Sequence, residues 1–374
     1  MKTKNNRLDI VGKRLKAVDR HLVHLLARRV FLAKEVAMIK VEDKTPLYRK
    51  EVEEDRLNLV SEWANEEGIN PEFARSLLYS IIGESCKQQM MIIDSLRLGK
   101  MVEKFTPTYQ ELQKNLLRLT EYWASRYERY TAGNPATSAL VIFERNIIDT
   151  TLSGLGNREM CLDLGCATGK EIRRISRRFS KLLGFDISTP MIKTGKEKIS
   201  LTKKTNVKLM VHDVENSWPL KDGSVSFIIM NNGTASDVKN LTFVFNEVVR
   251  VLKPGGRFVM SFYNKEAWTQ RIFFPWPLGL VAGIDQDRDC LEVKLEKETI
   301  PIFAKPYTLD EVKEMVPRQL CLLSWHTYPT LMSVLPKEIV EETLPKGLIH
   351  RLDNELAQTD HGLGSYVIIS GERV

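Results

Sequence analysis

The sequence predicts an all-α domain followed by an α/β domain whose parallel sheet is doubly wound. Over about the first hundred residues, apolar side chains recur every three or four positions among many charges, which is typical of amphipathic helices. From about Met160 onward, short apolar runs bounded by Gly, Asp or Asn alternate with helical stretches, which is typical of a parallel sheet. We predict boundaries at 1–102 for the helical domain, 103–152 for a helical linker or cap, and 153–374 for the α/β domain.

The composition disfavours several classes of protein. The 374 residues include five cysteines, an odd number, and no C-x-x-C pair, which disfavours a disulfide framework and a zinc site. We therefore expect a reducing, cytoplasmic compartment and no metal. The N-terminus lacks the apolar region of a signal peptide, and the most apolar run, residues 272–284, is shorter than the about 20 residues of a membrane span, so we expect no membrane partner. The net charge of +7 permits binding to anionic small molecules or to RNA and favours neither.

One long helix opens the helical domain. Apolar residues at helical spacing run from Leu8 to Ala37 without a proline, which predicts a helix of about 35 residues and roughly 50 Å. Such a helix is too long to bury its apolar stripe inside one small domain, so we expect it to pack along a partner chain in a homodimer. A second helix is predicted from about Lys50 to Glu67. Asn70 and Pro71 begin a third, with Asn70 as its N-cap.

The predicted strands of the α/β domain end in glycines and acidic residues. The first strand runs into a turn in which Gly165 allows a tight bend beside a ligand and Gly169 allows close packing at the start of a helix. Asp186 ends the second strand about 20 residues later, where a carboxylate can accept hydrogen bonds from both hydroxyls of a ribose. The third strand ends at Asp213, which can meet an adenine amino group, and the fourth ends in residues 231–233.

This ordered set of motifs, followed by the Leu252-Lys-Pro-Gly-Gly turn, resembles the class I S-adenosylmethionine-dependent methyltransferases over roughly residues 140–374. The resemblance implies a Rossmann-like fold, S-adenosyl-L-methionine as cofactor, and an antiparallel last strand. It implies that Asp186 holds the ribose, Asp213 the adenine, and Asn231 faces the sulfonium. The implied cofactor-binding residues are Asp163, Gly165, Cys166, Gly169, Asp186, Ile187, Asp213, Val214 and Asn231. The family often has Gly where this chain has Ala167. A nicotinamide dinucleotide site fits poorly, because the proline-glycine turn and Asp213 have no place in it.

The methyl acceptor is less well defined. Methyl transfer is an in-line displacement that needs little beyond positioning. The aromatic run from Trp268 to Pro277 is a candidate wall for a flat or apolar acceptor, and simple lid packing is an equal alternative. His326 is a candidate general base and Tyr328 a candidate hydrogen-bond donor, although a lone histidine is more often structural.

The segments from Leu15 to Lys40 and from Ile81 to Gln89 resemble the all-helical chorismate mutases, and the resemblance covers about residues 6–95. It implies a three-helix fold, an intertwined dimer built on the first helix, and a site that rearranges a dianion. Such a site needs several cations and a few neutral donors. Arg29 would hold a carboxylate, while Lys40 and Gln89 would donate to the ether oxygen. The residues on matching positions are Arg29, Lys40, Glu53, Ser85 and Gln89.

Two positions depart from the mutase pattern. Gly12 and Val52 stand where the family usually has arginine, and each lost charged hydrogen bond costs about 1.5–3 kcal/mol. Lys16, one turn from Gly12, and Arg49, three residues before Val52, are candidate substitutes on the same helix faces. Three interpretations stay open: a working mutase that converts chorismate to prephenate, a module that binds a related carboxylate, and a dimerisation module.

We favour a methyltransferase that acts on a small molecule. Because the methyltransferase region is fused to a mutase-type domain, its methyl acceptor is associated with chorismate or prephenate, although such an association is weak evidence. One alternative is an RNA methyltransferase that uses the helical dimer as a clamp, and its binding would depend steeply on salt. The chain has no recognised RNA-binding motif, which disfavours a nucleic-acid partner. A third interpretation is a regulatory protein that binds the cofactor without transferring the methyl group.

Overall fold

The computed structural model describes residues 3–43, 45, 49–98, 107–202, 204–271, 284–286, 288–295, 298–335, 347–359 and 362–374. They form two compact units, one made of the described residues up to Leu98 and one of those from residue 107 onward. The three helices of the first unit are α1 Thr3–Glu42, α2 Lys50–Glu66 and α3 Pro71–Leu98. The uninterrupted α1 and the all-α character of this unit confirm the prediction from the apolar period.

The first unit has a small core of its own. Helix α3 packs against both α1 and α2, and Leu57, Ile82 and Cys86 form a buried apolar cluster. The side chain of Asn70 caps α3 as predicted, because its Oδ1 accepts a hydrogen bond from the amide of Phe73 at 3.0 Å. The apolar content of α1 contributes little to this core.

Two rows of apolar side chains on α1 are exposed in the single chain. They repeat every seven residues, which is the spacing of a coiled-coil seam. In the first row, Leu8 is 73% exposed, Leu15 is 59% exposed and Leu22 is 52% exposed. The second row contains Val11, Val18 and Leu25. Within one copy of the first unit this seam has no apolar cover among the described residues.

The second unit combines helices with two sheets. Its helices are α4 Tyr109–Trp123, α5 Tyr127–Gly133, α6 Pro135–Ser153, α7 Lys170–Arg174, α8 Thr189–Leu201, α9 Leu241–Val251, α10 Trp268–Arg271, α11 Leu309–Met315, α12 Leu331–Val334 and α13 Leu348–Leu356. Its strands are β1 Met160–Leu164, β2 Lys181–Asp186, β3 Val207–Val211, β4 Val225–Met230, β5 Leu252–Tyr263, β6 Ile284–Asp285, β7 Cys290–Leu295, β8 Glu298–Phe303, β9 Leu320–Tyr328 and β10 Tyr366–Arg373.

The larger sheet has seven strands in the order β3-β2-β1-β4-β5-β10-β9. Strands β1 to β5 pair in parallel, and β10 is antiparallel to both of its neighbours, β5 and β9. The strand order reverses between β1 and β4, and ligands of open α/β sheets bind at such a switch point, outside the carboxyl ends of the strands. The parallel strands and the antiparallel last strand confirm the predicted fold class.

The smaller sheet pairs β6, β7 and β8, and α4 packs against β8. Leu119 of α4 and Tyr263 at the end of β5 share an apolar cluster with the inner faces of these strands. The cluster thus joins α4 and the small sheet to the carboxyl end of β5. In the part of the chain that the structure describes, no helix is both long and apolar enough to cross a bilayer, and no three His, Cys, Asp or Glu residues form a metal-binding group.

Candidate active site

A cavity lies where β1 and β4 end, next to the switch point of the sheet. Four of the predicted cofactor-binding residues line it: Asp163, Gly165, Cys166 and Asn231. Gly165 has a φ of +69°, and a Cβ at this position would lie 2.3 Å from Cγ2 of Thr234. Only glycine fits there without displacement, so the backbone of the turn can approach a ligand closely. Gly169 also has a positive φ and is the N-cap residue of α7.

Asp186 binds the backbone of the glycine turn. Its Oδ2 accepts a hydrogen bond from the amide of Ala167 at 2.8 Å, and its Oδ1 accepts one from the amide of Ser188 at 2.8 Å. Ala167 has a φ of +46°, a left-handed conformation that costs a non-glycine residue about 1–2 kcal/mol. Burial raises the pKa of Asp186, and the two amides oppose that shift. Each carboxylate oxygen keeps a second lone pair, so both can still accept from ribose hydroxyls.

Asp163 supplies a buried polar atom without a partner. The residue is 1% exposed, and its Oδ1 has no hydrogen bond within the described residues. Burial raises the pKa of this carboxyl, and the nearby carboxylates of Glu171 and Asp186 raise it further. Buried polar groups are nearly always paired in proteins. An ammonium or hydroxyl group in the cavity would satisfy Asp163, so the residues present fit the methionine and ribose portions of S-adenosyl-L-methionine.

The end of β3 is linked to α4. Asp213 Oδ1 accepts a hydrogen bond from the amide of Glu215 at 3.0 Å, and the Glu215 carboxylate bonds with the hydroxyl of Tyr109. Val214 is buried, and its carbonyl accepts from the indole of Trp218 at 3.0 Å. Strand β3 ends at Val211, two residues earlier than predicted, so Asp213 and Val214 lie just beyond its carboxyl end. Ile187 follows Asp186 and is half-buried.

Glu128 of α5, in the predicted linker or cap region, contacts the glycine turn after β1. The sequence did not predict this contact. The Glu128 Oε1 accepts from Thr168 Oγ1 at 2.8 Å and from an Arg173 guanidinium nitrogen at 2.6 Å, and it forms an ion pair with Lys198 Nζ at 2.8 Å. The neighbouring Tyr127 lines the cavity. The only sequence signal was an aromatic helix ahead of the first strand, which does not say where its side chains point.

A second group of polar side chains, which we call the tyrosine–aspartate cluster, comprises Tyr127, Asp237, Tyr263 and Tyr366. Burial raises the pKa of the Tyr263 hydroxyl, and the nearby Asp237 carboxylate raises it further. The rings of Tyr263 and Tyr366 meet edge-on with centroids 5.7 Å apart. Gly233 lies directly against this group, because a Cβ there would be 2.3 Å from Cε1 of Tyr263. The cluster therefore adjoins the turn after β4 that carries Asn231.

The structure places the predicted base His326 elsewhere. It lies on β9, the edge strand of the large sheet. Its Nδ1 is 3.0 Å from the carbonyl oxygen of Ala357, and its ring makes an edge-to-face contact with the ring of Phe143. The cavity lining does not include it. Tyr328 is buried against Phe143. Trp268 lies in α10, and the rest of the predicted aromatic wall, residues 273–277, falls outside the described residues.

In the first unit, the mutase-type residues form one group. Lys40 Nζ donates to Gln89 Oε1 at 3.0 Å. Burial lowers the pKa of both Arg29 and Lys40, and the nearby Glu53 carboxylate opposes that shift. Arg29 Nε is buried without a hydrogen-bond partner in the described part of the chain. Glu53 and Gln89 are buried. The Ser85 hydroxyl donates to the carbonyl of Ile81 in its own helix at 2.8 Å.

Sequence reasoning missed one cation of this group. Arg56, one helical turn after Glu53, forms an ion pair with the Glu53 carboxylate at 3.3 Å. Arg56 and Arg49 both lower the pKa of Lys40 through like charge, after the larger effect of burial. Lys16 is exposed on α1, and a Cβ at Gly12 would meet no atom of the described residues within 4 Å. The cations of α2 thus flank the position of Val52.

The sheet order, the glycine turn and the acidic end of β2 together define a class I methyltransferase fold. Comparison with known families agrees: residues 162–260 match the family model of the methyltransferase domain, and residues 11–90 match that of chorismate mutase type II. The chain therefore carries a methyltransferase domain and a chorismate mutase type II domain, and both resemblances predicted from the sequence are confirmed.

Several known methyltransferases are similar to this chain. It is 33% identical over 109 residues to malonyl-[acyl-carrier protein] O-methyltransferase 2 of Ilyobacter polytropus, covering 29% of this chain and 40% of that protein. It is 31% identical over 204 residues to the sterol 4-C-methyltransferase strm-1 of Caenorhabditis elegans, covering 51% and 58%. The crystal structure of a SAM-dependent methyltransferase from Aquifex aeolicus aligns at 16% identity with a TM-score of 0.40, covering 67% and 98%. The chain spans about half the length of the curated relatives it matches.

Proposed function

We propose that the second unit is an S-adenosyl-L-methionine-dependent methyltransferase that acts on a small molecule. The observation that carries this proposal is the unpartnered Asp163 beside a glycine turn whose backbone is bound to Asp186. When bound, the cofactor supplies a methyl group activated by a sulfonium. Asp186 would accept from its ribose, Asp213 would meet the adenine, and Asn231 would face the sulfur. Positioning of this kind provides most of the catalysis that a methyl displacement needs.

The surroundings of the cavity favour a small acceptor. An apolar cluster from α4 and the small sheet reaches Tyr263 and Tyr366 beside the turn after β4. The relatives reported above are named for methylation of malonyl-[acyl-carrier protein] and of a sterol. A cytoplasmic location fits the five free cysteines.

The test begins with calorimetry of the purified full chain against S-adenosyl-L-methionine and S-adenosylhomocysteine, where we expect micromolar binding. Tritiated cofactor is then incubated with the small-molecule fraction and with the RNA fraction of a cell extract. We expect labelled product in the small-molecule fraction alone. Failure to bind either cofactor form at millimolar concentration, or label found only in RNA, would contradict the proposal.

We also propose that α1 pairs with a second copy of the chain and that the mutase-type group binds a carboxylate related to chorismate. The exposed seam of α1 supports the first statement. The half-buried Arg29, whose buried Nε has no partner among the described residues, and the Lys40–Gln89 pair support the second, because both are suited to anionic oxygens. Glu53 is neutralised by Arg56, so the group keeps a positive balance.

Val52→Arg is expected to raise the rate of chorismate rearrangement at least about tenfold, because it restores one charged hydrogen bond of about 1.5–3 kcal/mol. Val52 is half-buried and precedes Glu53, so the new guanidinium would enter the group that contains Lys40. Prephenate formed from chorismate is measured by mass spectrometry. Val52→Gln is the matched control, since it adds length and polarity without charge, and its rate should stay near that of the wild type. Equal rates for all three proteins would show that position 52 does not face the ligand.

A further inference from the structure

The cavity beside the glycine turn corresponds to one end of the proposed cofactor site. It is lined by Asp163 and Asn231. Asp186 and Asp213, which would hold the ribose and the adenine, do not line it. The amino-acid end of S-adenosyl-L-methionine would therefore lie in the cavity. That end carries an ammonium group beside a carboxylate, so a site for it needs unpaired acceptors and unpaired cations close together.

Two buried oxygens at this cavity have no hydrogen-bond donor. Asp163 Oδ1 and Asn232 Oδ1 are both unpartnered within the described residues, and both residues line the cavity. Asn232 has a φ of +56°, a left-handed conformation that asparagine adopts more readily than most residues. Its backbone amide donates to Oε1 of the fully buried Glu144 at 2.9 Å, which fixes the turn. Two unpaired acceptors at one cavity suit an ammonium group, which has three donors.

Two cations also line the cavity, Lys170 of α7 and Arg145 of α6. The Lys170 ammonium makes no hydrogen bond or ion pair with any described residue. The Arg145 Nε donates to Glu171 Oε2 at 2.9 Å, which orients the guanidinium, while its two terminal nitrogens make no hydrogen bond to a described residue. Both side chains therefore keep donors for an anion.

These two cations lie near enough to repel each other. Burial lowers the pKa of the Lys170 ammonium, and the positive charge of Arg145 lowers it further. The carboxylate of Glu171 pairs with Arg145 and with Arg174, so Lys170 stays without an ion-pair partner among the described residues. Like charges at half-buried positions are unfavourable, and an anion near both relieves the repulsion. A ligand carboxylate in the cavity would be stabilised by both cations.

We propose that Lys170 and Arg145 form the subsite for the carboxylate of the cofactor's amino-acid end. Asp163 and Asn232 accept hydrogen bonds from the neighbouring ammonium group. This inference rests on the proposed methyltransferase function and adds its ligand selectivity. The protein binds adenosyl ligands that carry the complete amino-acid group and discriminates against those that lack the carboxylate, because hydrogen bonds between charged partners are stronger than neutral ones.

The test is calorimetry of the full chain with three ligands that differ at this end. S-adenosylhomocysteine carries the whole amino-acid group, decarboxylated S-adenosylhomocysteine keeps the amine alone, and 5′-methylthioadenosine has neither. Lys170→Met keeps the length of the side chain and removes its charge. It should weaken S-adenosylhomocysteine binding at least about tenfold, the loss expected for one charged hydrogen bond. Affinity for the decarboxylated ligand should not fall, because that ligand has no carboxylate to lose its partner.

Further variants separate the two subsites from effects on folding. Arg145→Gln should reproduce the selective loss, and Lys170→Arg, which keeps a cation, should retain most of the preference for S-adenosylhomocysteine. Asp163→Asn should weaken both ligands that carry the amine and leave 5′-methylthioadenosine unchanged. Lys196→Met is the matched control, because Lys196 is exposed on α8 and does not line the cavity. It should bind all three ligands as the wild type does.

Equal losses of Lys170→Met with S-adenosylhomocysteine and with the decarboxylated ligand would show that Lys170 does not bind the carboxylate. A wild-type protein that binds these two ligands equally tightly would overturn the carboxylate subsite, while the proposed methyltransferase function would stand. If the wild-type protein binds none of the three ligands, the proposed function and the subsite are both wrong.

Discussion

Asp186→Ala is expected to weaken S-adenosyl-L-methionine binding by at least about 100-fold. The carboxylate would accept two hydrogen bonds from the ribose, and hydrogen bonds to a charged group contribute about 1.5–3 kcal/mol each. A loss of about 3 kcal/mol corresponds to a little more than 100-fold in affinity. The substitution also frees the amides of Ala167 and Ser188, which Asp186 holds at 2.8 Å. The glycine turn then loses its fixed geometry, which adds to the loss.

Calorimetry with S-adenosyl-L-methionine and S-adenosylhomocysteine measures this effect. Asp186→Asn is the informative companion variant, because its amide oxygen can still accept a hydrogen bond from a backbone N–H. It should lose less affinity for the cofactor than Asp186→Ala does. Asp310→Ala, at an exposed position, controls for removal of a carboxylate. A near-native thermal melting curve shows that each variant is folded. A dissociation constant for Asp186→Ala within threefold of the wild type would mean that Asp186 does not hold the ribose.

Leu15→Asp combined with Leu22→Asp is expected to abolish the proposed homodimer and leave a monomer. Both leucines belong to the exposed seam of α1, with 59% and 52% of their surface accessible in the single chain. Burial of one leucine stabilises an interface by about 1.5–3 kcal/mol, and a symmetric dimer contains each position twice. The double variant therefore removes at least about 6 kcal/mol and places four carboxylates in an apolar seam, where unpaired charges are costly.

Sedimentation velocity at micromolar concentration distinguishes the two states. Arg20→Asp is the control, because Arg20 is exposed on α1 outside both apolar rows and the variant adds negative charge without touching the seam. It should remain dimeric. Retained S-adenosyl-L-methionine binding by the double variant would show that the second unit is intact. A monomeric wild-type chain would overturn the proposed pairing of α1.

Local patterns in the chain were sufficient for the architecture and brought four of the nine proposed cofactor-binding residues to one cavity. The uninterrupted apolar period of α1 and the short apolar runs of β1 to β5 are properties of neighbouring residues, so their spacing predicts a helix or a strand directly. Glycines and acidic residues at strand ends could also be placed, because parallel strands bring their carboxyl ends to one edge of a sheet. Asp163, Gly165, Cys166 and Asn231 accordingly meet at the cavity.

The remaining parts of the site depend on contacts between residues far apart in the chain. Glu128 reaches Thr168 and Lys198, and Arg145 lines the cavity. Neither Glu128 nor Arg145 stands in a local pattern that distinguishes it from an ordinary surface polar residue. His326 is the opposite case, a residue that the sequence suggested and the structure places away from the cavity. It was a candidate base because it follows the central strands in the chain, but it lies on the edge strand β9 of the sheet. Periodicity specifies which face of an element is buried, but the packing of whole elements decides which polar side chains meet, and so only the tertiary structure revealed Glu128 and Arg145.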